Sequence, residues 1–317
     1  MSTALKTEAG RDALGKALLD LAGQIPELVV LDADVSSSTK TADFGRAHPD
    51  RFFNVGVAES NMIDLAAGMA TCGLRPVAST FAIFLVLKGA EQIRNTVCYN
   101  NLPVVFAGGY AGLSDSYDGA SHQSITDLAV MRAMPNMAVV VPGDSVEVRQ
   151  ALDQALRRNG PTYIRIGRNP TPVLFEGAEP FKIGKIRKLR DGKDVTLAVC
   201  GVPLFMAMEA AELLAIEKIQ VDLLEVSTLK PLDVETLVAS ATKTGKVLTI
   251  EEHSIIGGLG GAVAEALGKH APSRMEVIGV EDRFTESGDY SALMTKYGLS
   301  VRAIREKARK LARATNP

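Results

Sequence analysis

Glu59 stands where an apolar run, Phe52 to Val57, gives way to a stretch rich in small residues: Ala66, Ala67, Gly68 and Ala70. An acid in the first turn of a helix is stabilised by the helix dipole by about 0.3–1 kcal/mol, an ordinary reason for its presence. A second chemistry is also open to it. A carboxyl buried without a partner takes up a proton, because desolvation disfavours the charge, and can then donate a hydrogen bond to a ring nitrogen. Phe81 and Phe84 follow at a spacing of three. That is the usual spacing of core residues on a helix, and equally of rings on which a flat heterocycle could stack. Asp118, Ser121, His122 and Gln123 lie within six positions. They could read hydroxyl groups, although a loop histidine is commonly just a solvated one. Arg11 and Arg168 are far apart in sequence. Surface arginine is the default reading for both, but converging with Ser38 they would clamp a phosphate.

These residues need elements to position them. Lys6 to Ala22 carries apolar residues at helical spacing. Leu28 to Leu31 is a short apolar run of the buried-strand type, ending in Asp32, Asp34 and the hydroxylated Ser36 to Thr39. Open α/β sheets place ligand contacts at such strand ends. The pattern predicts strands over 52–57, 77–80, 103–107, 138–141 and 162–166. Helices are expected over 58–71, 83–95, 126–132 and 145–157. The helix opened by Glu59 reads as buried. Residues 110–123 form a long polar loop of the kind that often carries function. A proline-rich stretch, Asn169 to Ile186, reads as a linker, after which a second alternation of strand and helix begins. The pattern predicts an α/β protein of two mostly parallel, three-layer domains, over 1–170 and 191–317, joined by a linker at 171–190. The run GGLGGAVAE at 257–265 imitates a dinucleotide fingerprint, but its glycines are out of register, so a tight strand-to-helix turn is expected.

The bulk composition excludes several classes. Net charge is -2 with no basic stripe, so neither nucleic acid nor an anionic membrane is an expected partner. Three dispersed cysteines without CxxC spacing argue against a disulfide framework and a zinc site, and a reducing cytoplasm is expected. The uncharged apolar stretch Pro76 to Leu87 is too short to span a bilayer.

Several segments in order then carry a resemblance: RFFNVGVAESNM, AAGMATCGLRPVASTFAIF, DGASHQSITDLAVMRAMPNM, GPTYIRIGR and EEHSIIGGLGG. Together they resemble the C-terminal part of transketolases, and most closely the C-terminal subunit of transketolases split over two polypeptides. The resemblance covers nearly the whole chain: a pyrimidine-binding domain, a linker and a transketolase C-terminal domain. It implies thiamine diphosphate as cofactor and transfer of a two-carbon ketol unit from a ketose phosphate to an aldose. Glu59 matches the glutamate that bonds the aminopyrimidine ring nitrogen and activates the cofactor. Phe81 and Phe84 match the aromatics stacked on that ring, and Asp34 an acid near the subunit junction. Asp118 and His122 match residues that contact sugar hydroxyls, His122 being a catalytic candidate. Arg11, Ser38 and Arg168 match the phosphate-binding set. The family's GDG…N metal signature is absent from the sequence. The resemblance therefore implies an N-terminal partner subunit supplying the diphosphate and Mg²⁺ sites, in an α2β2 assembly with active sites between the subunits.

Three departures bear on substrate. Leu87 replaces a third aromatic, Tyr110 stands where a substrate-contacting histidine is usual, and SDSY at 114–117 replaces a small-Gly-Glu run. Competing readings are a deoxyxylulose-phosphate-synthase-like enzyme, a beta-type subunit of a 2-oxo acid dehydrogenase, and a non-catalytic homologue. A 2-oxo acid has no sugar phosphate for Arg11, Ser38 and Arg168 to hold.

Overall fold

The computed structural model describes residues 6–314. In chain order its strands begin with β1 (Thr7–Ala9), β2 (Leu28–Asp32), β3 (Phe52–Asn54), β4 (Arg75–Phe81) and β5 (Val105–Gly109). There follow β6 (Ala138–Val140), β7 (Thr162–Arg165), β8 (Pro170–Pro172), β9 (Arg187–Arg190) and β10 (Val195–Val199). The last are β11 (Val221–Glu225), β12 (Thr228–Lys230), β13 (Lys246–Ser254) and β14 (Arg274–Val280). One seven-stranded sheet runs β12-β6-β7-β5-β4-β2-β3, and a five-stranded sheet runs β14-β13-β10-β11-β9. Each is parallel throughout except for one antiparallel edge strand, β12 in the first and β9 in the second.

The continuous apolar runs follow from burial on both faces. In β2, Leu28 and Val30 enter a core with Leu14, Leu18 and Leu152, while Val29 and Leu31 enter another with Met62, Ile63 and Ala66. Successive side chains of a strand point to opposite faces, so every position must be apolar where helices cover both. The same holds for β10, whose five residues are all buried.

Four features differ from the sequence expectation. The proline-rich stretch contains β8, paired antiparallel with β1, so the start of the chain is tied to residues 170–172. Residues 228–230 return to the first sheet as β12, at its edge beside β6. The helix expected over 83–95 breaks at Gly89 into Ala82–Lys88 and Ala90–Gln92, followed by a π-helical turn, Ile93–Cys98. A Cβ at Gly89 would overlap Ile63 Cδ1, so the two helices meet there too closely for any side chain. The helix Glu59–Thr71 is not buried all round. Asn61, Asp64, Leu65 and Gly68 face outward, and with Met69 and Cys72 they line an apolar groove of about 470 Å³.

The cysteines are free. Among the described residues, no helix is long and apolar enough to cross a membrane.

Candidate functional site

The carboxyl ends of β2, β4, β5 and β7 open onto one edge of the first sheet, and the candidate residues sit just beyond them. Phe81 is the last residue of β4, and Phe84 lies in the first turn of the following helix. Their rings stack at 6.1 Å, tilted by 28°. His122 meets both edge-on, at 5.1 Å from Phe84 and 6.4 Å from Phe81. Its Nδ1 is 2.9 Å from Ser121 Oγ.

Glu59 begins its helix and is buried. It is not the unpartnered carboxyl that the sequence suggested. Lys88, four residues after Phe84 and so on the same helix face, donates to Glu59 Oε1 at 2.9 Å. The same ammonium lies 4.6 Å from the centre of the Phe84 ring. Lys88 thus bridges the acid and the aromatic pair, a contact with two attractive components.

The second wall is built around Tyr110, which follows β5 in a left-handed conformation at φ 56°. A bulky residue there stores strain of about 1–3 kcal/mol, held only because its surroundings fix it. Its ring stacks on Phe81 at 4.4 Å. Arg11, from the helix Gly10–Ala22, donates Nη1 to the Tyr110 hydroxyl at 2.5 Å and to Ser38 O at 3.4 Å. The Arg168 guanidinium lies 4.9 Å from the same ring, and that of Arg11 5.5 Å. The structure therefore brings Arg11, Ser38, Tyr110 and Arg168 together, with Phe81 joining them to Phe84, His122, Lys88 and Glu59. Two candidates stand outside these contacts. Asp34, itself at φ 66°, exchanges two hydrogen bonds with the Asn54 side chain. Asp118 is exposed, with its carboxyl beside that of Asp115.

The loop carrying Asp118 and His122 is far from solvated along its first half. Leu113, Ser114, Asp115 and Ser116 are buried. Asp115 accepts from Arg168 Nη1 at 3.1 Å. Burial pushes its carboxyl up to about 7, the hydrogen bond and charge of Asp118 add to the rise, and Arg168 opposes it. The second sheet holds this loop from below. Leu113 N–H donates to Glu252 Oε1 at 2.7 Å, Tyr290 Oη donates to Glu252 Oε2 at 3.1 Å, and Gln123 Nε2 donates to Glu286 O at 3.0 Å. Arg165, at the end of β7, donates to Asp127 Oδ2 at 2.8 Å and to the carbonyls of Ser124 and Glu252. Burial disfavours the Asp127 charge, yet Arg165 beside it holds the carboxyl below its usual range.

Sequence reasoning missed Lys88, Asp115, Arg165 and Glu252. Lys88 was visible as the i+4 neighbour of Phe84, and Asp115 lay in the atypical SDSY run. Nothing local marked Arg165 or Glu252 as supports of a loop distant in sequence, Arg165 lying 41 positions from Ser124 and Glu252 139 from Leu113. The GGLGG run is a turn whose adjoining helix N-terminus is filled from within. Leu259 and Gly260 N–H donate to Glu251 at 2.6 and 2.8 Å. That carboxylate takes the place a phosphate would need. Among the described residues, no three His, Cys, Asp or Glu side chains converge to hold a metal ion.

Residues 6–172 match the family model of the transketolase pyrimidine-binding domain, and residues 184–304 that of the transketolase C-terminal domain. The chain is 41% identical over 300 residues to a putative transketolase C-terminal section of Methanocaldococcus jannaschii, covering 94% of both. It is 38% identical over 306 residues to a 6-deoxy-6-sulfo-D-fructose transketolase subunit of Clostridium sp. strain MSTE9, covering 96% of this chain and 95% of that one. A solved structure described as a split gene transketolase, inactive beta4 tetramer, is similar at TM-score 0.89 and 46% identity, over 96% of this chain and 99% of that one.

Proposed function

Because this chain belongs to the transketolase family, we propose that it is the C-terminal subunit of a two-polypeptide, thiamine-diphosphate-dependent transketolase. It would move a two-carbon ketol unit from a ketose phosphate to an aldose. The observation that carries this reading is the pairing of a buried acid and two stacked rings with a pair of arginines, joined through the Phe81–Tyr110 stack.

The residues present fit the pyrimidine end of the cofactor. Glu59 is buried at a helix start, and the cation now on it is a half-exposed lysine that can withdraw to solvent. Glu59 would hold the ring nitrogen, and Phe81 and Phe84 would offer ring faces. Thiamine diphosphate, when bound, supplies the electron sink for cleaving and forming the carbon–carbon bond. His122 and Asp118 would contact the sugar's hydroxyls, and Arg11, Ser38 and Arg168 its anionic end. Asp34, fixed by Asn54, would lie near the subunit junction. The diphosphate and its Mg²⁺ would be held by an N-terminal partner subunit in an α2β2 assembly. The outward face of helix Glu59–Thr71, with its groove and exposed Leu65, suits a subunit interface better than a solvent surface.

The chain alone is expected to be inert and to gain turnover when mixed with an N-terminal subunit. In that mixture Glu59→Gln should lower kcat by about 10²–10⁴-fold while circular dichroism and subunit association stay unchanged, because the amide cannot take over acid–base work. Full turnover by the chain alone would refute the two-polypeptide claim, and an unaffected Glu59→Gln enzyme would remove Glu59 from its role.

A further inference from the structure

The two arginines are already engaged within the chain. Arg11 spends Nη1 on the Tyr110 hydroxyl at 2.5 Å, and its buried Nε has no partner. Arg168 spends Nη1 on Asp115 Oδ1, and the Asp115 carboxyl is fully buried. Asp118 brings a second carboxyl against Asp115 from the same loop. The charge facing an incoming anion is therefore not that of two free guanidiniums. One is offset by an acid that cannot be screened by water, and the Tyr110 ring stands beside both.

We propose that Asp115 is a specificity-determining residue of the anion subsite: by neutralising Arg168 it weakens the hold on a dianion, so the subsite takes a singly charged or neutral sugar end nearly as readily as a phosphate. Tyr110 acts in the same direction on Arg11, more weakly, because a hydroxyl competes for one donor without bringing a charge. The physical basis is that a carboxylate a few ångströms from the binding charge acts through a partly buried medium, where its effect on an anion is about tenfold in affinity. The claim rests on the reading of Arg11, Ser38 and Arg168 as anion contacts. Both can be tested on the chain without its partner, since every residue involved lies in it.

Inorganic sulfate is a suitable probe because it stays doubly charged from mildly acidic to mildly basic pH. Its affinity for the full chain can be measured by titration calorimetry, with thermal melting to check that each variant is folded. Asp115→Asn should bind sulfate about tenfold more tightly than the wild type at about pH 8. The groups facing this region are Asp118 on the same loop, Arg168 after β7, Arg11 across the Tyr110 ring, and His122 beyond Phe81. All but Asp115 are common to both proteins, so the ratio of affinities isolates it. Burial raises the Asp115 carboxyl to about 7, so the wild type loses this charge on acidification. The gap should therefore close at about pH 6. Asp115→Ser, which drops the same charge, should reproduce the gain, and Tyr110→Phe should give a smaller one. Equal affinity of wild type and a folded Asp115→Asn under basic conditions, or a gap that persists on acidification, would overturn the proposal. Arg168→Ala should abolish binding. Undiminished binding in that variant would instead overturn the anion-subsite reading itself.

Discussion

The two sheets share an architecture and finish their strands in opposite ways. At the carboxyl edge of the first, the charged and aromatic groups meet one another at a surface that remains open: Lys88 with Glu59, Arg11 with Tyr110, Arg168 with Asp115. At the same edge of the second, β13 ends in a run that includes Glu251, Glu252 and His253, all buried. Each of these acids is consumed by the chain's own backbone. Glu251 takes the first N–H groups of helix Leu259–His270, and Glu252 takes Leu113 N–H from the loop of the other sheet. A strand end offers binding groups only where its polar side chains are not spent on the chain's own backbone. The second sheet uses Glu251 to hold its own helix and Glu252 as a bracket under the first sheet's loop.

The largest test of this contrast is at the junction. Arg165 and Asp127 are both almost fully buried. Arg165→Met leaves Asp127 without its cation and removes a donor from the Ser124 and Glu252 carbonyls, and should cost about 3–5 kcal/mol in urea denaturation. A loss below about 1 kcal/mol would mean that the sealed end is not structural.

A smaller effect should come from pH. Burial pushes both Glu251 and Glu252 up to about 7, although backbone donors and Arg165 pull the other way. An acid raised in the folded state contributes stability that is full below its unfolded value and is lost as pH rises through the folded one. Stability in urea should therefore fall between about pH 4.5 and about pH 7, by about 1 kcal/mol per pH unit for each group, and level off above that. Glu252→Gln should flatten that fall. Within that window His253 pulls the other way, with about half the combined slope of the two acids. Burial holds His253 down to about 4, so its contribution is present above its unfolded value and is lost as pH falls toward about 4. A midpoint that does not change across the window would show that these acids are not held in a dry environment.

The smallest effect should be at the open end. Lys88 is half-exposed, and Lys88→Met should change stability by only about 1 kcal/mol. A cost as large as that of Arg165→Met would erase the distinction between the two edges.

The parts of the fold readable from sequence were those set by continuous burial. Leu28–Asp32 and Val195–Val199 announce strands because every position faces a core. Three-residue strands carry no periodicity to read, so the pairing of Thr7–Ala9 with Pro170–Pro172 and the return of Thr228–Lys230 to the first sheet were invisible. At the site, residue type and motif order singled out Glu59, Phe81, Phe84 and the arginines, through a resemblance more than through spacing. What neutralises them was not legible. Lys88 reaches Glu59 from the end of a helix that stops at Gly89 against Ile63, and Asp115 reaches Arg168 from a loop anchored on Glu252, long-range juxtapositions that no local pattern announces.

The Lys88–Glu59 pair also fixes how the pocket should respond to ionic strength. Contacts between charged partners generally weaken as salt rises, because exposed charges are screened beyond about 8 Å at about 0.15 M. On the reading proposed above, a ring that takes Glu59 competes with this ion pair. Added salt loosens the half-exposed ammonium and lowers the cost of opening. A neutral ring should therefore enter more easily in moderate salt than in dilute buffer, the reverse of a site that recruits its occupant by charge.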